Sequence, residues 1–71
     1  MTEHTNASKR FLRMSEVIHL TGLSRSSIYD RMNANQFPKS VPLGGRAVAW
    51  VESEVMEWLE NRIAQRDDVA A

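Results

Sequence analysis

Residues 22–32 read GLSRSSIYDRM, and residues 43–50 read LGGRAVAW. The first stretch gathers two arginines, a tyrosine and three serines into about three helical turns. Guanidinium groups reach guanine O6 and N7 or a phosphate, hydroxyls reach base edges or backbone oxygens, and small side chains permit close approach. The second stretch sets Arg46 beside Gly44 and Gly45. A cation at an exposed hairpin tip can lie along a phosphate strand or enter a minor groove, and paired glycines bring backbone close to it. Each stretch also has a purely structural explanation. A capped helix and a glycine hairpin tip need no ligand.

The elements that would position these groups follow from periodicity. Met14, Val17, Ile18 and Thr21 form one stripe of a short helix, expected from about Ser15 to Thr21 and closed by Gly22. Ser24 stands ready to cap a second helix, with Ile28 and Met32 turned inward and Leu23 in the turn ahead. On that helix Ser26, Asp30 and Asn33 project outward with Ser27 beyond them, while Arg25, Tyr29 and Arg31 lie on the flanks. The run NANQ followed by Phe37 and Pro38 is expected to end it. Two short helices joined by a glycine-containing turn are the pattern of a helix-turn-helix, whose second helix enters a major groove.

KSVPLGGRAVAWV then reads as a β-hairpin. Val41 alternates with Leu43 on one arm and Val48 with Trp50 on the other, with Gly44-Gly45 expected as the two-residue turn. Pro42 confines its arm to a sheet edge. A last amphipathic helix carries Val55, Trp58, Leu59 and Ile63 on its apolar face, with Glu52 and Glu54 at its start and Arg62 and Arg66 near its end. Phe11 and Leu12 form an extended entry to the ordered part. The expected organisation is a flexible arm over residues 1–9, one domain over 10–66 and a disordered tail over 67–71.

Composition bounds the function. A chain of 71 residues is a single small domain with no room for an enzyme cleft of its own. It contains no cysteine, which suits a reducing cytosol, and no apolar run approaches the roughly 18 residues of a membrane span. The formal net charge is zero, yet it is unevenly spread. Residues 9–46 carry Lys9, Arg10, Arg13, Arg25, Arg31, Lys39 and Arg46 against Glu16 and Asp30. Residues 47–71 carry Arg62 and Arg66 against four glutamates and two aspartates. Such a split marks a polyanion-binding face backed by an acidic one. His4 and His19 have no acidic or cysteine cluster beside them, so neither metal nor cofactor is expected. The serines lack a histidine base, and no catalytic residue is assigned.

RFLRMSEVIHLTGLSRSSIYDRM, FPKSVPLGGRAVAWVESEVMEWL and the trailing RIAQR resemble the AlpA family of phage- and prophage-derived regulators, over about residues 10–66. These are compact relatives of the MerR-like and excisionase-like winged helix-turn-helix proteins. The resemblance implies a mainly α fold of three helices with a small β-hairpin as wing. It implies that Arg25, Ser26, Ser27, Tyr29 and Arg31 are recognition-helix contacts to double-stranded DNA, and that Gly44, Gly45 and Arg46 are wing contacts. Ser24 and Lys39 are added as phosphate contacts. Asp30 stands where many relatives have a basic residue, and Arg13 where relatives often have a Thr or Ser cap, so that the first helix is expected to start late or be poorly capped.

The expectation is a cytoplasmic, nucleoid-associated bacterial regulator of a prophage or integrative element, for example activating an integrase gene. An excisionase that bends attachment-site DNA is the alternative, and a small protein-interaction adaptor is the alternative of another class. Cooperative self-association on DNA, or contact with integrase or RNA polymerase, would accompany the first two.

Overall fold

The structure, a computed structural model, describes residues 10–70. The elements run β1 (Phe11–Leu12), α1 (Met14–Thr21), α2 (Arg25–Asn33), β2 (Val41–Gly44), β3 (Ala47–Val51) and α3 (Glu52–Ala70). Three helices and an antiparallel hairpin make the expected winged helix-turn-helix. The proposed arm over residues 1–9 lies outside the described residues.

The strands form one antiparallel sheet in the order β1-β3-β2. Phe11 faces Val51 and Leu12 faces Trp50, so the extended entry is a true edge strand paired with the wing. The Glu52 N–H extends this pairing to the Arg10 carbonyl at 2.8 Å. β2 is the other edge, where Pro42 lacks a donor without breaking an inner ladder.

The core is Leu12, Val17, Ile28, Phe37, Trp50 and Val55, one side chain from each element except β2 and Phe37 from the connector, with Met14, Ile18, Leu23, Met32, Val48, Trp58 and Leu59 packed around it. Trp50 is fully buried, whereas Trp58 is half-buried. Their indoles hold the connector between α2 and the hairpin from two sides. Trp50 Nε1 donates to the Pro38 carbonyl at 3.1 Å, and Trp58 Nε1 donates to the Gln36 carbonyl at 2.8 Å. Phe37 lies edge-on to Trp58 with ring centroids 4.8 Å apart. These contacts set where α2 ends and where the wing begins.

Three local expectations are corrected. α1 begins at Met14 rather than late. It is poorly capped, as expected: Arg13 supplies no side-chain cap, and the Glu16 carboxylate only accepts from the Arg13 N–H at 2.9 Å. α2 ends within the expected NANQ run, with Asn35 at φ 60°. The Gln36 N–H bonds to the Arg31 carbonyl and the Asn35 N–H to that of Met32, which is a Schellman closure. The hairpin turn is Gly45-Arg46, not Gly44-Gly45: Gly44 faces Ala47, and Leu43 is an extra residue inserted after Pro42. Leu43 is consequently 44% exposed instead of alternating inward with Val41.

The third concerns the last helix. α3 continues through residues 67–70, where a disordered tail was expected, since no glycine or proline stops it after Arg66. From Glu60 to Asp68 every residue is exposed, and Ile63, expected on the buried stripe, is 50% exposed. The stripe outruns the surface it packs on.

Gly22 closes α1 at φ 76°, with nothing within 4 Å of where a Cβ would stand. Gly22→Ala should therefore cost only the left-handed strain of an L-residue, about 1–2 kcal/mol. Denaturant titration checks this, and an unchanged midpoint would show that the turn tolerates Ala.

Candidate nucleic-acid interface

α2 is built to present a polar face. Ser24 sits at its N-cap with extended backbone, and its Oγ accepts from the Ser27 N–H at 3.1 Å. Ile28 is the one fully buried side chain of the helix, and half-buried Met32 lies a turn later on the same side. That anchorage leaves Arg25, Ser26, Asp30 and Asn33 exposed, with Ser27, Tyr29 and Arg31 half-buried on the flanks. The Ser26 hydroxyl lies 3.4 Å from that of Ser24. The Arg25 guanidinium stands over the Tyr29 ring at 5.6 Å, and Arg31 Nε donates to Ser27 Oγ at 3.3 Å.

The hairpin places Gly44 at φ 116° and Gly45 at φ 57°. A left-handed residue at the first turn position matches the twist of the strands, and glycine takes it without strain. Arg46 occupies the second turn position, fully at the tip and exposed. The glycine pair thus aims the cation outward instead of forming the whole turn.

The other cations of the basic segment have structural duties that spacing could not disclose. Arg10 pairs with Glu52 at 2.9 Å and Glu16 at 3.7 Å, fastening the β1, α1 and α3 ends together. Arg13 Nε donates to the Val48 carbonyl at 3.1 Å, just past the last β1 pair on β3. Both Glu52 and Val48 lie more than thirty residues downstream. The Lys39 ammonium donates to the Met32 carbonyl, satisfying a group at the C-terminal end of α2. Ser24 and Lys39 thus stand at opposite ends of α2.

Arg25, Arg31 and Arg46 take part in none of the ion pairs found among the described residues. The acidic side chains Glu54, Glu57 and Glu60 lie instead along α3. Arg25 and Arg46 stand clear of the α3 carboxylates, whereas Arg31 lines a groove together with Glu54, Glu57 and Arg62 of α3. Among the described residues no group of His, Cys, Asp and Glu is gathered to hold a metal ion. No helix there is long and apolar enough to cross a membrane.

Comparison with known proteins adds an independent line. A family model described as "Prophage CP4-57 regulatory protein (AlpA)" matches residues 10–63. The chain is 38% identical over 65 residues to "DNA-binding transcriptional activator AlpA" of Escherichia coli (strain K12), across 83% of this chain and 93% of that protein. It is 55% identical over 58 residues to "Uncharacterized protein ORF88" of Enterobacteria phage P4, across 82% of this chain and 66% of that protein. The chain thus spans slightly under two thirds of the phage protein's length.

Proposed function

The chain belongs to the AlpA family of prophage regulatory proteins, and from that premise we propose that it binds duplex DNA and activates transcription of a prophage or integrative-element gene. The observation that carries this reading is the charge placement. Arg25 on the exposed side of a capped α2, Arg31 half-buried on its flank, and Arg46 at the hairpin tip are free of carboxylate partners among the described residues. α2 lies in the major groove, where Arg25 and the strip Ser26, Asp30 and Asn33 meet base edges. The wing lies on the adjacent phosphate strand or minor groove, with Arg46 as its cation. The DNA-binding activity in the E. coli relative's name accords with this reading.

Footprinting the pure chain on the integrase promoter and attachment site of its own element tests the proposal. Protection of the promoter, with raised transcription from it, is the expected result. Protection confined to the attachment site, with bending, would replace activation by excisionase action. No protection of either would remove the DNA-binding reading.

Arg46→Ala separates the wing from the helix. A phosphate contact carries no sequence information, so its loss should weaken binding to all duplexes alike and reduce the salt slope by about one unit. Affinity measured against salt on matched and scrambled duplexes reads this directly. A loss confined to the matched duplex would place Arg46 on bases instead.

A further inference from the structure

On α2 two arginines are held by residues one turn away on the same helix. Arg25 reaches forward over the Tyr29 ring at 5.6 Å, within the range of a cation–π attraction. Arg31 reaches back, and its Nε donates to Ser27 Oγ at 3.3 Å. Residues four apart share a helix face, whereas these two pairs sit on opposite flanks of the exposed strip Ser26, Asp30 and Asn33. Both guanidinium groups are therefore drawn toward the level of the helix's middle turn, one on each side of that strip.

From this arrangement we infer that Tyr29 and Ser27 are positioning residues for Arg25 and Arg31, setting the two cations before DNA arrives. The inference rests on the DNA-binding reading above and deepens it. An arginine has a long side chain whose rotamer freedom is lost on docking, and a partner that holds it in the free protein removes part of that cost. Of the two partners, Ser27 has its polar groups already committed. Tyr29 and Ser27 are each half-buried. The Ser27 hydroxyl is occupied by Arg31, while the Ser27 N–H is committed to the Ser24 cap. Because that cap uses only backbone of Ser27, replacing its side chain leaves the start of the helix intact.

The arrangement is tested with Tyr29→Leu, Tyr29→Phe and Ser27→Ala, with Tyr29→Leu repeated in an Arg25→Ala background. Affinity is measured for a duplex selected by the wild-type chain from a randomised pool. Tyr29→Leu should weaken binding about two- to fivefold, the worth of an exposed cation–π pair, without changing the salt slope. Tyr29→Phe keeps the ring and should restore that affinity. In the Arg25→Ala background Tyr29→Leu should cost nothing further, because the group it positions is gone. Ser27→Ala should weaken binding with helix content unchanged.

A second readout needs no DNA. The Arg25 side-chain protons should show an upfield ring-current shift in the free wild-type chain and in Tyr29→Phe, and none in Tyr29→Leu. Three results would overturn the assignment: equal weakening by Tyr29→Phe and Tyr29→Leu, which makes the phenol a direct contact; an undiminished Tyr29→Leu loss without Arg25; or no ring-current shift in the wild type. A wild-type chain that selects no duplex would instead fail at the earlier step, the DNA-binding reading itself, and take this assignment with it.

Discussion

Trp50→Ala should leave no cooperative thermal transition at all. Trp50 is fully buried at the centre of the core, and truncating a buried tryptophan costs about 3–5 kcal/mol through lost transfer free energy and the cavity left behind. Native stability is about 0.05–0.15 kcal/mol per residue, so a chain of 71 residues has only a few to about ten kcal/mol in total. The same substitution also frees the Pro38 carbonyl, which the indole N–H binds at 3.1 Å. The connector between α2 and the wing would then lose one of its two indole ties.

Circular dichroism against temperature reads the result, with two companion variants to apportion it. Trp50→Phe keeps most of the apolar volume and loses the hydrogen bond, so it should melt cooperatively at a lower temperature, destabilised by at least the roughly 1 kcal/mol of that bond. Trp58→Ala should cost less than Trp50→Ala, since Trp58 is half-buried and packs at the edge of the core against Phe37. A wild-type melt for Trp50→Ala would show that the sheet and α3 are not joined through this residue.

Arg25→Ala should weaken binding to the selected duplex by roughly 1–3 kcal/mol and relax its preference at one base pair. Arg25 is exposed on the first turn of α2 and has no carboxylate partner among the described residues. Its guanidinium presents the planar donor pair that matches guanine O6 and N7. Competition against duplexes changed one base pair at a time gives the measurement. The expected signature is loss on the selected duplex with little change on scrambled DNA, the opposite of Arg46→Ala. If both variants lose affinity uniformly, both residues are phosphate contacts, and the base reading passes to Ser26, Asp30 and Asn33.

The helices were legible because their signals are local. The stripe through Val17 and Ile18, the Ser24 cap and the glycine after Thr21 each act within one or two turns, and each was found in its expected role. The pairing of β1 with β3 was not legible. Two residues, Phe11 and Leu12, have no periodicity to read, and what makes them a strand is Val51 and Trp50 in a distant part of the chain. The hairpin shows a subtler limit. Its glycines were evident, but the extra residue at Leu43 shifts the register by one and moves Arg46 into the turn. The end of α2 in the NANQ run was legible, and the fold adds that Asn35 is the residue that turns left-handed to close it.

For the site, residue types were legible and their commitments were not. Seven cations in residues 9–46 looked interchangeable as charge. In the fold, Arg10 ties β1 to α1 and α3, Arg13 ties the start of α1 to β3, and Lys39 satisfies a helix carbonyl. The side chains of Arg25 and Arg46 enter no hydrogen bond or ion pair found among the described residues, and that of Arg31 bonds only Ser27 of its own helix, so these three carry the proposed interface.

The β1–β3 pairing also has a consequence for how the chain is made. Helices α1 and α2, of eight and nine residues, are too short to hold by themselves and bury Val17 and Ile28 against Trp50 and Val55, which are made later. Phe11 must wait for Val51. At about 5–20 residues per second on a ribosome, roughly two to eight seconds separate the making of the two partners. Until then the nascent chain holds at most marginal helices and a Phe11-Leu12 pair with no sheet to join. A chain cut short of β3 should therefore lack not only its sheet but also the packing that holds its helix-turn-helix.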